Sequence, residues 1–115
     1  MTDCIFCRIA SGEIPATVVA RNDHAVAFRD LNPQAPVHIL VIPTQHITSM
    51  ADADSDSAEL ALARAIRLAV QVAKAEGLDD GGYRLVINTG RDGGQSVPHV
   101  HVHLLAGRRL GWPPG

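Results

Sequence analysis

The sequence predicts an α+β domain on a five-stranded, mainly antiparallel sheet, and three observations lead there. Three short runs rich in Val or Ile come first, one long stretch of helical period follows, and two more extended runs close the chain. Strands placed before and after a single long helix, without regular strand and helix alternation, favour this class over a parallel doubly wound sheet. With 115 residues the chain can bury one substantial core but not two, so a single domain over residues 1–115 is expected.

Each element has its own signal. Residues 4–11 read as a short helix stopped by Gly12 at the C′ position. Residues 17–21, 25–29 and 38–43 read as strands, bounded by Asn, Asp, Gly or Pro. The polar stretch 52–57 reads as a solvated loop entering the long helix. In that helix Leu60, Ala63, Ile66, Val70 and Ala73 form an apolar stripe opposite Arg64, Arg67, Gln71 and Lys74. Asp56 and Glu59 fit a capping box at its start, and Gly77 fits its stop. Strands at 83–88 and 99–106 flank a glycine-rich segment, 90–96.

Composition narrows the function. Hydrophobic residues make up 46% and aromatics only 3%, so the core must be mainly Val, Ile, Leu and Ala. The net charge is −2, with no basic block, which argues against a nucleic-acid binder. There is no apolar run near the ~20 residues that cross a bilayer and no signal-peptide pattern. A cytoplasmic protein without a membrane partner is the expectation. Both cysteines sit in Cys4-Ile5-Phe6-Cys7, a spacing that in a reducing compartment suggests metal ligation or redox exchange before a structural disulfide.

His99, His101 and His103 alternate with Val100, Val102 and Leu104. On a strand, alternate side chains share a face, so three imidazoles line up roughly 6 to 7 Å apart while the apolar residues face the core. Such a cluster suits either metal ligation or catalysis. Nucleophilic catalysis needs a neutral imidazole, and an unperturbed pKa of about 6.5 already provides one near neutrality. The middle histidine, with a neighbour on each side, is the natural candidate. Ahead of it, Gly90, Gly93 and Gly94 allow backbone N–H groups to converge on an anion, and Gln95 and Ser96 add side-chain donors. A glycine turn is often only a hairpin connection; before three histidines it becomes a plausible phosphate cradle.

The run Gly93-Gly-Gln-Ser-Val-Pro-His-Val-His-Val-His-Leu-Leu105 resembles the signature of the histidine triad (HIT) family. The resemblance extends to Asp30-Leu-Asn-Pro-Gln-Ala-Pro-Val-His-Ile-Leu-Val-Ile-Pro43, His46-Ile47, Asn88 and Trp112-Pro-Pro-Gly115, and is closest to the Hint-like branch. Ala106-Gly107 departs from the double glycine common there. The resemblance implies a HIT-like fold and a purine nucleoside phosphoramidase, with His101 attacking the α-phosphorus to give a nucleotidyl-histidine intermediate. It implies His103 near the leaving group, where an imidazolium could donate a proton to the departing amine, and contacts from Ser96, Asn88 and the Gly94 backbone, with Gln95 beside them. Asp30 matches a ribose-binding carboxylate, and Phe6, Ile9, Phe28 and Leu31 match base-pocket positions. For Asp30 alone a turn role would otherwise be preferred, and for Ile9 and Leu31 ordinary packing is nearly as good a reading.

By resemblance Cys4, Cys7, His46 and His99 would bind a structural zinc ion; four protein ligands leave no open coordination position. His24 and His38 carry no expected function beyond surface or hydrogen-bonded structural roles. The resemblance also implies a homodimer, with Trp112 influencing leaving-group choice at the partner's site. Two other functions stay open: hydrolysis or phosphorolysis of dinucleoside polyphosphates, and a zinc-stabilised nucleotide-binding protein with little turnover.

Overall fold

The computed structural model describes residues 3–115. A short helix α1, Ile5–Ala10, precedes strands β1, Val18–Arg21, β2, Ala25–Arg29, and β3, Val37–Pro43. A 3-10 turn at Met50–Asp52 leads to the long helix α2, Asp56–Ala75, then β4, Tyr83–Val86, and β5, Val102–Ala106. The sheet order is β1-β2-β3-β5-β4, and every neighbouring pair is antiparallel. The predicted class and the five strands are those observed.

The strands alternate their burial between two layers. Ala25, Ala27, Ile39, Val41, Val102 and Leu104 pack beneath α2. Val26, Phe28, Leu40 and Ile42 face the other way and pack with Phe6 and Ile9 of α1. His103 pairs in register with Leu40, which places its imidazole on the α1 side of the sheet.

Four expectations need correction. The apolar stripe of α2 is out of phase: Leu60 is 50% and Val70 39% exposed, Ala63 is exposed and Ile66 half-buried. Only Ala73 of that stripe is buried; the packed face is Ala58, Ala61, Ala65, Leu68, Ala69, Val72 and Ala73. Small side chains let the helix axis lie close over the sheet, so alanines rather than the bulkiest residues set its rotation. The N-cap is Ser55, whose hydroxyl accepts from the Ala58 N–H, so the Asp56/Glu59 capping box does not form and both carboxylates instead sit in the first turn, where the helix dipole favours them.

The remaining two corrections concern strand ends. The last strand begins at Val102, not His99. Ahead of it the backbone turns, with the His99 N–H bonded to the Val97 carbonyl, and Val100 N–H reaches Ile47 O at 2.7 Å instead of joining the sheet ladder. Strand β4 stops at Val86, two residues short of the predicted end, and the chain departs toward the glycine segment.

Candidate functional site

Residues 97–103 bring the histidines to the α1 face of the sheet. The His101 and His103 ring centroids are 5.0 Å apart. Phe6 of α1 packs edge-on against His101 at 5.1 Å, His99 at 5.9 Å and Phe28 at 5.6 Å. One buried aromatic ring thus touches the central histidine, a candidate metal ligand and the apolar cavity.

Hydrogen bonds assign the proton positions. His101 Nδ1 lies 2.8 Å from the His99 carbonyl, an acceptor only, so Nδ1 carries the proton and Nε2 keeps its lone pair. His38 Nδ1 accepts from the Gln34 N–H at 3.0 Å, which puts the His38 proton on Nε2. That N–H donates to His103 Nδ1 at 2.9 Å and faces Asp30 Oδ2 at 3.4 Å. His103 therefore carries its own proton on Nε2, a buried atom without a hydrogen-bond partner among the described residues. A buried donor left unpaired is costly. His38, buried at 6% exposure, sets this tautomer; sequence reading assigned it only a hydrogen-bonded structural role. Its signal was the Val37-His38-Ile39 alternation of a strand beside the histidine strand, which sequence does not disclose without the sheet order.

His103 is held neutral. Burial, and then the neighbouring His101 and His38, bring its pKa from the usual 6.5 down to about 4, against a smaller opposing pull from Asp30. Burial likewise lowers that of His38, with Asp30 opposing. The hydrogen-bond chain gives a second reason: another proton on this pair has no vacant lone pair unless the Gln34 or the His38–His103 bond breaks. His103 thus presents the N–H of a neutral ring, not an imidazolium. The Asp30, His38 and His103 atoms also lie within 4.8 Å of one another, but His38 Nε2 is protonated, which disfavours a metal there.

An apolar cavity of about 270 Å³ is lined among others by Phe6, Ile9, Phe28, Leu31, Asp30 and Ser96; His101 and His103 do not line it themselves but adjoin its lining residues Phe6 and Leu40. The four expected base-pocket positions are brought together here with the carboxylate, and Ile14, Leu40 and Val97 join them. Leu31 is 97% exposed at the rim. Asp30 Oδ1 accepts from the Asn32 N–H at 2.7 Å, so the turn role holds, with further lone pairs facing the cavity region. Asn88, Gly94 and Trp112 do not line this cavity; Trp112 is 83% exposed. Gln95 differs from expectation: its carboxamide, anticipated as a phosphate donor, is committed to Gly90, Thr48 and Val97.

The second cluster fits a metal. Cys4 Sγ is 3.3 Å from His99 Nδ1, Cys7 Sγ 3.3 Å from His46 Nδ1 and 3.5 Å from His99 Nδ1, and the two Nδ1 atoms are 3.2 Å apart. A zinc tetrahedron with bonds of about 2.3 Å to sulfur and 2.0 to 2.1 Å to nitrogen has S···N and N···N edges of about 3.3 to 3.6 Å, close to these separations. His99 Nε2 donates to Pro43 O at 2.9 Å, which leaves its Nδ1 lone pair aimed into the cluster and supplies the outer-shell bond that ligating histidines use. His99 is wholly buried, and burial foremost lowers its pKa to about 4.

The chain is similar to known proteins over most of its length. The HIT domain family model matches residues 11–110. A purine nucleoside phosphoramidase of Escherichia coli (strain K12) is 48% identical over 109 residues, covering 95% of this chain and 91% of that protein. A 14 kDa zinc-binding protein of Zea mays is 52% identical over 113 residues, covering 96% and 87%. In structure, a HIT family hydrolase from Legionella pneumophila superposes with a TM-score of 0.93 at 53% identity, covering 98% of this chain and all of that one. From the triad's arrangement, the fold that presents it and the extent of these matches, the chain belongs to the histidine triad (HIT) family.

Proposed function

We propose that the protein hydrolyses the P–N bond of purine nucleoside 5′-phosphoramidates. The observation that carries this reading is the pair of opposite tautomers, a lone pair on His101 Nε2 and an N–H on His103 Nε2, near an apolar cavity lined by Asp30 and by Phe6, which packs against His101. A nucleophile and a donor side by side are what displacement at phosphorus with departure of a poor leaving group requires. The phosphoramidase name of the Escherichia coli relative supports the substrate class.

In this mechanism His101 Nε2 attacks the α-phosphorus as the P–N bond breaks, giving a nucleotidyl-histidine intermediate. His101 Nδ1–H, bonded to the His99 carbonyl, stabilises the charge that builds on the ring. The substrate nitrogen carries the proton with which it leaves as a neutral amine, and the neutral His103 ring gives it a hydrogen bond from Nε2–H without losing that proton. Water then attacks phosphorus and breaks the bond to His101 Nε2; its oxygen stays on the nucleotide, its released proton goes to the departed amine, and His101 returns to its starting tautomer. The cavity holds the base, Asp30 accepts from the ribose hydroxyls, and Ser96 with the Gly94 backbone and Asn88 binds the phosphate. Cys4, Cys7, His46 and His99 hold a structural zinc ion that fixes the segment before the nucleophile; the zinc-binding name of the maize relative supports this assignment. A cytoplasmic homodimer, in which the exposed Trp112 approaches the partner's site, completes the reading.

The test is release of AMP from adenosine 5′-phosphoramidate or lysyl-AMP, beside diadenosine polyphosphates and the His101→Ala variant. Release from the phosphoramidate that disappears in His101→Ala, with AMP affinity retained, supports the proposal. Turnover of the polyphosphates alone moves the activity to that class, and absence of any turnover leaves a nucleotide-binding protein.

A further inference from the structure

We propose that Gln95 is a positioning residue: its carboxamide rivets the glycine-rich loop to the segment that carries the metal ligand His46, and thereby holds the loop in the shape that receives phosphate. The inference rests on the reading of residues 90–96 as the phosphate site and assigns Gln95 a role in that site different from direct contact.

Gln95 bonds three separate stretches of backbone. Its Oε1 accepts from the Gly90 N–H at 3.0 Å. Its Nε2 donates to Thr48 O at 2.7 Å and to Val97 O at 3.0 Å. Its own N–H donates to Gly90 O at 3.0 Å, so Gly90 and Gln95 face one another through two bonds across the base of the loop. Both side-chain donors are consumed, which leaves neither for a ligand.

The partners give these bonds their consequence. Thr48 lies two residues after His46, and its hydroxyl is 3.4 Å from His46 Nε2. The intervening Ile47 carbonyl accepts from Val100 N–H, between His99 and His101. Val97 both receives the Gln95 amide and lines the apolar cavity. The loop ends at Ser96, also on that cavity. One half-buried side chain thus sets the spacing between the metal-ligand segment, the loop and the approach to the nucleophile.

Only a carboxamide at this reach fits. Gln95→Glu keeps the acceptor for Gly90 but loses both donors and sets a negative charge against two carbonyl oxygens; Gln95→Ala loses all three bonds without adding charge. A displacement of the order of 1 Å in a substrate-holding group costs up to about a hundredfold in rate. Both variants should therefore show a kcat/KM for adenosine 5′-phosphoramidate that is roughly tenfold to a hundredfold lower, with AMP Kd raised by at least about tenfold, Gln95→Glu the worse at pH 7. As the pH falls toward 5, Gln95→Glu should recover relative to Gln95→Ala, because a protonated carboxyl regains one donor. Zinc content, measured on the same samples, should match that of the native chain, and the Gly90 amide should exchange faster in both variants.

An active native protein whose variants keep native KM and AMP affinity overturns the inference, as does unchanged Gly90 exchange. A native protein that neither binds nor releases AMP sinks the reading of the site instead, because native and variants then fail together; faster Gly90 exchange in the variants then upholds the rivet alone.

Discussion

Replacing Gly93 by Ala tests the proposed phosphate loop at its tightest glycine. A Cβ built at this residue falls 2.3 Å from the Thr89 carbonyl oxygen and 3.0 Å from the Thr89 nitrogen. An ordinary C···O approach is about 3.3 Å, so loop or neighbour must retreat by about 1 Å, and the obstacle is backbone with no rotamer to turn aside. That retreat moves the residues just before the triad, and a 1 Å misplacement of substrate can cost about a hundredfold in rate, or about 2.7 kcal/mol of barrier at 1.36 kcal/mol per decade. Gly81→Ala is the matched control: its φ lies outside the left-handed range and its Cβ meets nothing within 4 Å, so activity should hold and stability should rise by about 0.4 to 1 kcal/mol. The assay is AMP release from adenosine 5′-phosphoramidate, with thermal denaturation to confirm that both variants fold. A folded Gly93→Ala variant within threefold of native kcat/KM would refute the argument that the loop's close packing serves the reaction.

Three further outcomes follow from the geometry. Protein purified without chelator should contain about one zinc per chain by elemental analysis, and Cys7→Ser should lower both zinc content and melting temperature. Imidazole NMR should find His103 neutral and protonated at Nε2 at pH 6, whereas His38→Phe, which removes the donor to Nδ1, should mix the tautomers and reduce kcat. The lowered pKa of His103 also fixes the sign of a stability trend. The unfolded ring takes its proton near 6.5 but the folded ring only near 4, so the unfolded state binds more protons in between. This contribution is complete above about pH 6.5 and is lost as pH falls toward 4. Thermal melts of native protein and His103→Asn should show a shallower decline for the variant over that window, and equal slopes would contradict the assignment.

The sheet, the short helix, the triad and the cysteine pair were legible because each rests on local periodicity or spacing. What escaped depends on partners distant in sequence. The phase of α2 is one case: by size, Leu60 and Val70 should define the buried side, yet α2 crosses β1, β2, β3 and β5 through alanines that let it approach. Helical period identifies the helix, but which of two mixed faces is buried depends on the surface it meets.

His38 is the more consequential case. Its ring is 65 positions from His103 in sequence, and only the placement of β3 beside β5 brings the two together. Sequence gives no tautomer for His103; in the fold the Gln34 N–H acts through His38 to place its proton on Nε2. The same fold makes the His99 carbonyl the acceptor for His101 Nδ1, so the two rings acquire opposite free nitrogens, a lone pair on one and a proton on the other. Strand period does not produce this arrangement, since only His103 of the three lies on β5. The opposite free nitrogens, on which the proposed roles of nucleophile and donor depend, come from a backbone amide at Gln34 and a backbone carbonyl at His99, groups that nearly every residue carries and no motif records.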